Sequence, residues 1–103
     1  LQGFPLAKLE EVLRECDTWI SVDSWLPHFC ATLRLKSGIV LWSQSDPRIW
    51  GYKHNVNLSK PEYLRQYQYA PWFDVPHNPD AFVDPATVMD ALHGKLALAT
   101  TGA

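Results

Sequence analysis

The sequence predicts an α/β domain, a three-layer fragment in which helices cover both faces of a small parallel sheet. Three observations carry that prediction. A β-branched, apolar run from Thr18 to Val22 stops at Asp23-Ser24, and apolar spacing of helical period begins at once. A second apolar run, Ile39 to Trp42, follows the break Lys36-Ser37-Gly38. Both runs are apolar at nearly every position, as suits strands of a sheet covered on two sides.

Taken in order, Pro5 to Cys16 places Leu6, Leu9, Val12 and Leu13 on one side and Lys8, Glu10, Glu11, Arg14 and Glu15 mostly elsewhere. This is an amphipathic helix over 5–16, with Pro5 in the first turn, where a missing N–H costs nothing. The glutamates read as its solvated face. A strand over 18–22 follows. A helix over 24–35 then presents Leu26, Phe29, Cys30 and Leu33 to the core. Asp23 or Ser24 can cap it by accepting from first-turn amides, and Pro27 in that turn is tolerated. Gly38 is free to take positive φ at the break. The second strand covers 39–42, and Ser43 to Pro47 (S-Q-S-D-P) is the loop at its end.

Arg48 to Asn57 sustains neither period and reads as loop. Ser59-Lys60-Pro61-Glu62 is a capping-box pattern opening a helix over 60–68. Pro71, Pro76 and Pro79 break up the segment after it, and Asp84-Pro85 opens a last helix over 85–93. The tail after Gly94 carries no firm signal. The expected sheet has two or three parallel strands. The 103 residues form one unit, with an α-β-α-β part in 1–51 and a loop-rich part with a terminal helix in 52–103.

A net charge of −2, with nine Lys and Arg scattered along the chain, argues against binding a phosphate backbone, so nucleic acid is not an expected partner. No apolar run reaches the roughly 18 residues of a membrane span. The chain reads as soluble and cytoplasmic, and Cys16 and Cys30, in apolar settings without a C-x-x-C, read as buried, reduced thiols. No metal and no cofactor are expected: His54, His77 and His93 lie in unrelated contexts and form no ligand pair at helical spacing. The aromatic set Trp42, Trp50, Tyr52, Tyr63, Tyr67, Tyr69, Trp72 and Phe73 has two readings, packing of a half poor in aliphatics or a stacking wall or partner surface.

From Cys16 to Gly51 the chain reads C-D-T-W-I-S-V-D-S-W-L-P-H-F-C-A-T-L-R-L-K-S-G-I-V-L-W-S-Q-S-D-P-R-I-W-G. This stretch resembles the C-terminal, donor-binding domain of the heptosyltransferase-type glycosyltransferases (glycosyltransferase family nine, GT-B fold). Their hallmark is an aspartate, a serine or threonine, a glycine, two variable residues and a histidine, then a helix, a strand and a glycine-containing loop. The similarity runs from about Pro5 to Gly51 and resumes at Phe82 to Leu92. It implies a Rossmann-like sheet, half of a GT-B C-terminal domain, that binds a nucleotide-diphosphate sugar.

Carried over residue by residue, the resemblance implies Asp23 toward the sugar, Ser24 and the backbone amides at Trp25 and Leu26 toward the diphosphate, and His28 beside it. A helix N-terminus suits an anion, because its unpaired N–H groups carry about half a positive charge. Trp25 stands where the family has glycine, and S-Q-S-D-P replaces its F-G-x-T-x-P loop. The family's catalytic base sits in an N-terminal acceptor domain with no counterpart here, so no catalytic residue is expected and the isolated chain should be inactive. The alternative is a non-catalytic interaction or structural module that kept the fold and lost donor binding. Two thin apolar strands also leave faces and edges open, which predicts that the chain is part of a longer polypeptide or assembles with copies of itself or another protein through the edge of strand 18–22 or 39–42 and the aromatic surface around Trp50 and Trp72. A first residue that is Leu fits the former.

Overall fold

A computed structural model describes residues 5–65, 68 and 78–101. Its elements in chain order are α1 (Leu6–Glu15), β1 (Ile20–Val22), α2 (Trp25–Thr32), β2 (Ile39–Leu41), α3 (Pro47–Trp50), β3 (Val56–Leu58) and α4 (Pro85–Thr101), with 3-10 turns at Pro61–Tyr63 and Pro79–Ala81. The sheet order is β1-β2-β3 and both pairings are parallel, Ile20 facing Ile39 and Ile39 facing Val56. The chain is thus mixed α/β around a small parallel sheet. β2 is the central strand, so the expected assembly edge at 39–42 is already occupied on both sides, and β1 and β3 are the edges.

In-register pairs of a parallel sheet point to the same side, and successive residues alternate. One face therefore carries Ser21, Val40 and Asn57, and α1, α2 and the segment after α2 seal it with Leu9, Leu13, Cys30 and Leu35 around Trp19, Val40 and Trp42. Only Leu9 and Leu13 of α1 are buried; Leu6 and Val12 are exposed, so the apolar face is narrower than the spacing predicts. The solvated side is laced by Arg14–Glu10 at 2.7 Å and Lys8–Glu11 at 3.2 Å. Cys30 is buried, Cys16 half-buried, and both are free thiols.

The other face carries Ile20, Val22, Ile39, Leu41, Val56 and Leu58. α4 packs on β2 there, and Lys95 Nζ donates to Ser37 Oγ at 2.6 Å. Ile39 is fully buried as a result. β1, at the edge, is not covered: Ile20 is 43% and Val22 49% exposed. Among the described residues, the prediction of two covered faces therefore holds for β2 and fails for β1, because α4 lies over the middle of the sheet.

Four expectations are corrected. Gly38 does not supply the positive φ; Arg34 does, at 55°, where α2 unwinds. Gly38 is glycine because the Trp19 indole lies against it, in the space a Cβ would fill. Arg48 to Asn57 is not loop throughout, since Asp46 caps α3 and β3 is added by pairing, with Val56 N–H donating to Gly38 O at 2.9 Å. Where a helix was expected over 60–68, the described residues hold a 3-10 turn at Pro61–Tyr63: Leu64 is extended, and Arg65 N–H turns away to donate to Gln44 O at 2.8 Å. α4 passes through Gly94 instead of ending there. No atom lies near enough to crowd a side chain at Gly94, and the good helix formers Lys95 to Leu98 carry the helix on.

Tyr67, Tyr69, Trp72, Phe73 and His77, named above, lie outside the described residues. Among the described residues no helix is long and apolar enough to cross a membrane.

Candidate functional site

The carboxyl ends of parallel strands are where an open α/β sheet binds ligands, because the strand order and the helix starts leave a crevice there. β1 ends at Val22, and Asp23 N–H still donates to Leu41 O at 3.1 Å, which fixes Asp23 at the rim of the sheet. Ser24 follows at φ −154° and ψ −152°, and α2 begins at Trp25. Ser24 holds the capping position, but neither it nor Asp23 caps with its side chain as predicted. Ser24 Oγ points back to Val22 O, 3.5 Å away. Pro27 has no N–H, so the amides of Trp25 and Leu26 are the donors left at a helix start with no acidic residue in its first turn.

Around this turn the fold gathers side chains that are far apart in sequence. Loss of water around the Asp23 carboxyl raises it from its ordinary 3.8; His28, the Ser45 hydroxyl and the charge of Arg65 pull the other way. His28 sits at the end of the first turn of α2, with Nδ1 2.8 Å from Tyr52 Oη and the two rings edge-on at 5.4 Å. Tyr52 in turn lies 5.7 Å, centroid to centroid, from His54. Arg65 Nη2 donates to Ser45 Oγ at 3.3 Å, and Arg65 Nε is buried without a hydrogen-bond partner.

Arg65 is held in place by Gln68, whose Nε2 donates to Arg65 O at 2.9 Å and to Gln44 O at 3.0 Å. Gln68 Oε1 accepts from Asp46 N–H at 2.7 Å and from Trp50 Nε1 at 3.3 Å. One amide side chain thus ties the loop after β2 to α3 and to the backbone of Arg65.

Of the residues singled out from sequence, Asp23, Ser24 and His28 meet at this rim. Trp25 is 55% exposed, its ring standing edge-on to Phe29 at 5.7 Å, and Leu26 turns its side chain toward the core while its amide stays at the turn. Ser45, Tyr52 and Arg65 were not foreseen as site residues. Ser45 lies in the S-Q-S-D-P loop and Tyr52 in the aromatic set, so both stood in flagged stretches. Arg65 carried no signal.

Trp42 belongs to the core at 2% exposure and donates from Nε1 to Asn57 Oδ1 at 2.9 Å. Among the described residues the aromatic set is therefore partly packing and not one continuous wall. A separate hollow of about 360 Å³ is lined by Pro47, Arg48, Gly51, Lys53 and Asn57. Among the described residues no cluster of His, Cys, Asp or Glu is placed to hold a metal ion. Comparison with protein-family models, with curated proteins and with solved structures finds no match to this chain.

Proposed function

We propose that the β1–α2 turn is the donor-binding corner of a glycosyltransferase-type domain and takes a nucleotide-diphosphate sugar. The observation that carries this reading is the uncapped start of α2, flanked by Asp23 and His28, at the carboxyl ends of a parallel sheet. Free amides at a helix start stabilise an anionic group, and no side chain of the turn takes that place. Asp23, an acceptor when ionised, suits the hydroxyls of a sugar. His28 adds a donor beside the diphosphate. Trp25, exposed at the mouth, offers its face to a base in place of the close backbone approach that glycine would allow.

On this reading the chain binds and orients the donor and supplies no catalytic group. The base and the acceptor would come from the remainder of a longer polypeptide. The exposed Ile20 and Val22 on edge strand β1 give such a remainder, or a second copy of the chain, a place to dock.

The second reading, an interaction or structural module without donor binding, draws support from Trp25. With Ile20 and Val22 it gives three exposed apolar residues in and just after β1. Affinity for nucleoside diphosphates and nucleotide sugars separates the two. The donor reading predicts saturable binding that Asp23→Ala and His28→Ala abolish in variants that keep the wild-type unfolding midpoint. No heat and no spectral change at millimolar ligand would favour the module.

A further inference from the structure

A neutral imidazole donates to a phosphate only from the ring nitrogen that carries its proton, and which nitrogen that is depends on what the other one bonds to. In His28 the partner of that other nitrogen is Tyr52. Nδ1 lies 2.8 Å from the phenol oxygen, and the rings stand edge-on at 73° with centroids 5.4 Å apart. Nε2 makes no hydrogen bond among the described residues, and His28 is exposed.

Two proton arrangements fit the 2.8 Å contact: the phenol donates to Nδ1, or Nδ1–H donates to the phenol oxygen. The second strands the phenol proton, because Tyr52 is half-buried and its Oη has no other hydrogen-bond partner among the described residues. The first joins the better donor to the better acceptor, since a phenol O–H is more acidic than a neutral imidazole N–H and a ring nitrogen is more basic than a phenol oxygen. It leaves the proton of His28 on Nε2.

Both partners are carried on fixed frames. Tyr52 O accepts from Asn55 N–H at 3.1 Å and from Asn57 Nδ2 at 3.0 Å, and Asn57 Oδ1 accepts in turn from Nε1 of buried Trp42 at 2.9 Å. At the other end Thr32 Oγ1 donates to His28 O at 2.8 Å. A line of hydrogen bonds thus runs from the core residue Trp42 through Tyr52 to the imidazole at the start of α2.

We infer that Tyr52 is a positioning residue for His28: its hydroxyl donates to Nδ1, fixes the ring and leaves Nε2–H as the donor that meets the diphosphate. The inference rests on the donor reading for the identity of the ligand, and on the Tyr52 contact for the state of the ring. With its proton on Nδ1 the imidazole would turn a lone pair toward the phosphate oxygens and repel them. Tyr52 removes that form, so His28 meets an anion without first gaining a proton.

The test is nitrogen NMR of the isotope-labelled 103-residue chain and of Tyr52→Phe at about pH 8, where an ordinary histidine is neutral, with calorimetric titration of inorganic pyrophosphate and UDP-glucose into both. Thermal unfolding reports whether the variant folds. In wild type, Nδ1 of His28 should give the resonance of an unprotonated ring nitrogen and Nε2 that of a protonated one. In Tyr52→Phe, which keeps the ring, the two resonances should move toward each other as the second tautomer fills, and pyrophosphate should bind about two- to tenfold more weakly, the size of one ordinary hydrogen bond. A purely structural role for the hydroxyl would leave the nitrogen resonances in place. A protonated Nδ1 in wild type overturns the inference by itself, whether or not the variant folds. Unchanged nitrogen resonances in folded Tyr52→Phe overturn it too, as does equal pyrophosphate affinity in the two chains, and either result leaves the donor reading standing where wild type binds UDP-glucose. Resonances that move as expected, with no binding of pyrophosphate or UDP-glucose by wild type, remove the donor reading and support the hold of Tyr52 on His28.

Discussion

Two neighbouring turns leave the carboxyl ends of β1 and β2, each carrying an aspartate before a helix, and they use it in opposite ways. In the β2–α3 turn Asp46 is buried, accepts from Arg48 N–H at 2.8 Å and grips the Arg48 guanidinium through both oxygens. That helix start is satisfied by its own chain. In the β1–α2 turn Ser24 turns its hydroxyl backwards, and the helix start has no capping side chain. The same residue type in the same topological place is structural in one turn and available in the other. What separates them is whether the local side chain closes the hydrogen bonds that the helix leaves open.

The largest effect should come from breaking the satisfied turn. Asp46→Ala removes the cap and should cost about 1–2 kcal/mol in urea unfolding at neutral pH, nearly all of it from the cap, because the Arg48 guanidinium is exposed and its ion pair is worth little. The Arg48 hydrogen bonds also hold the Asp46 carboxyl below its ordinary 3.8. Its contribution is therefore present above that value and is lost as the pH falls through the lower, folded-state pKa. Asp46→Asn should flatten the acid limb of a stability–pH curve.

Closing the open turn tests the converse. Ser24→Asp places a carboxylate where the ligand's anion would sit. It should stabilise the chain by about 0.5–1 kcal/mol, the size of a cap plus a favourable dipole contact, and should weaken pyrophosphate binding in the same sample. Gain in stability with unchanged binding would mean that the helix start is not where the anion goes.

A smaller effect, opposite in sign to that of Asp46, belongs to Asp23. Its carboxyl is raised by loss of water, so the neutral form is favoured in the folded state; that contribution is full below 3.8 and is lost as the pH climbs through the raised value. Asp23→Asn should therefore gain stability relative to wild type between acid and neutral pH, modestly, since the residue is exposed. Smallest of all, Ser24→Ala should change stability by less than about 0.5 kcal/mol, because a hydroxyl that makes no cap has none to lose.

The contrast also explains what was legible in the sequence. β1, α2 and β2 were readable because β-branched runs, the Asp23-Ser24 stop and helical spacing all act within a few residues. The cap at Ser24 was misread, since composition gives the residue that can cap but not the rotamer that declines to. β3 was missed because Val56-Asn57-Leu58 becomes a strand through its pairing with β2 and through Asn57 bridging Trp42 and Tyr52, which no local window contains. Arg65 was invisible for the same reason. Its nearness to Ser45 and Asp23 depends on the chain abandoning a helix at Leu64, a tertiary override of a good capping-box pattern. The uncovered side of β1 was the reverse case, where a correct strand led to an incorrect expectation of cover, since a strand's own composition does not say whether it sits at the centre of the sheet or at its edge.

The measurement that tests the central claim most directly follows all backbone amides of the chain by NMR while UDP-glucose is added. The account predicts saturating shifts centred on Asp23 to His28 and extending to Ser45 and Arg65, while the amides of Arg48 to Gly51, behind the Asp46 cap, stay in place. Shifts of equal size at both helix starts, or shifts confined to the hollow at Pro47, Arg48 and Lys53, would contradict it.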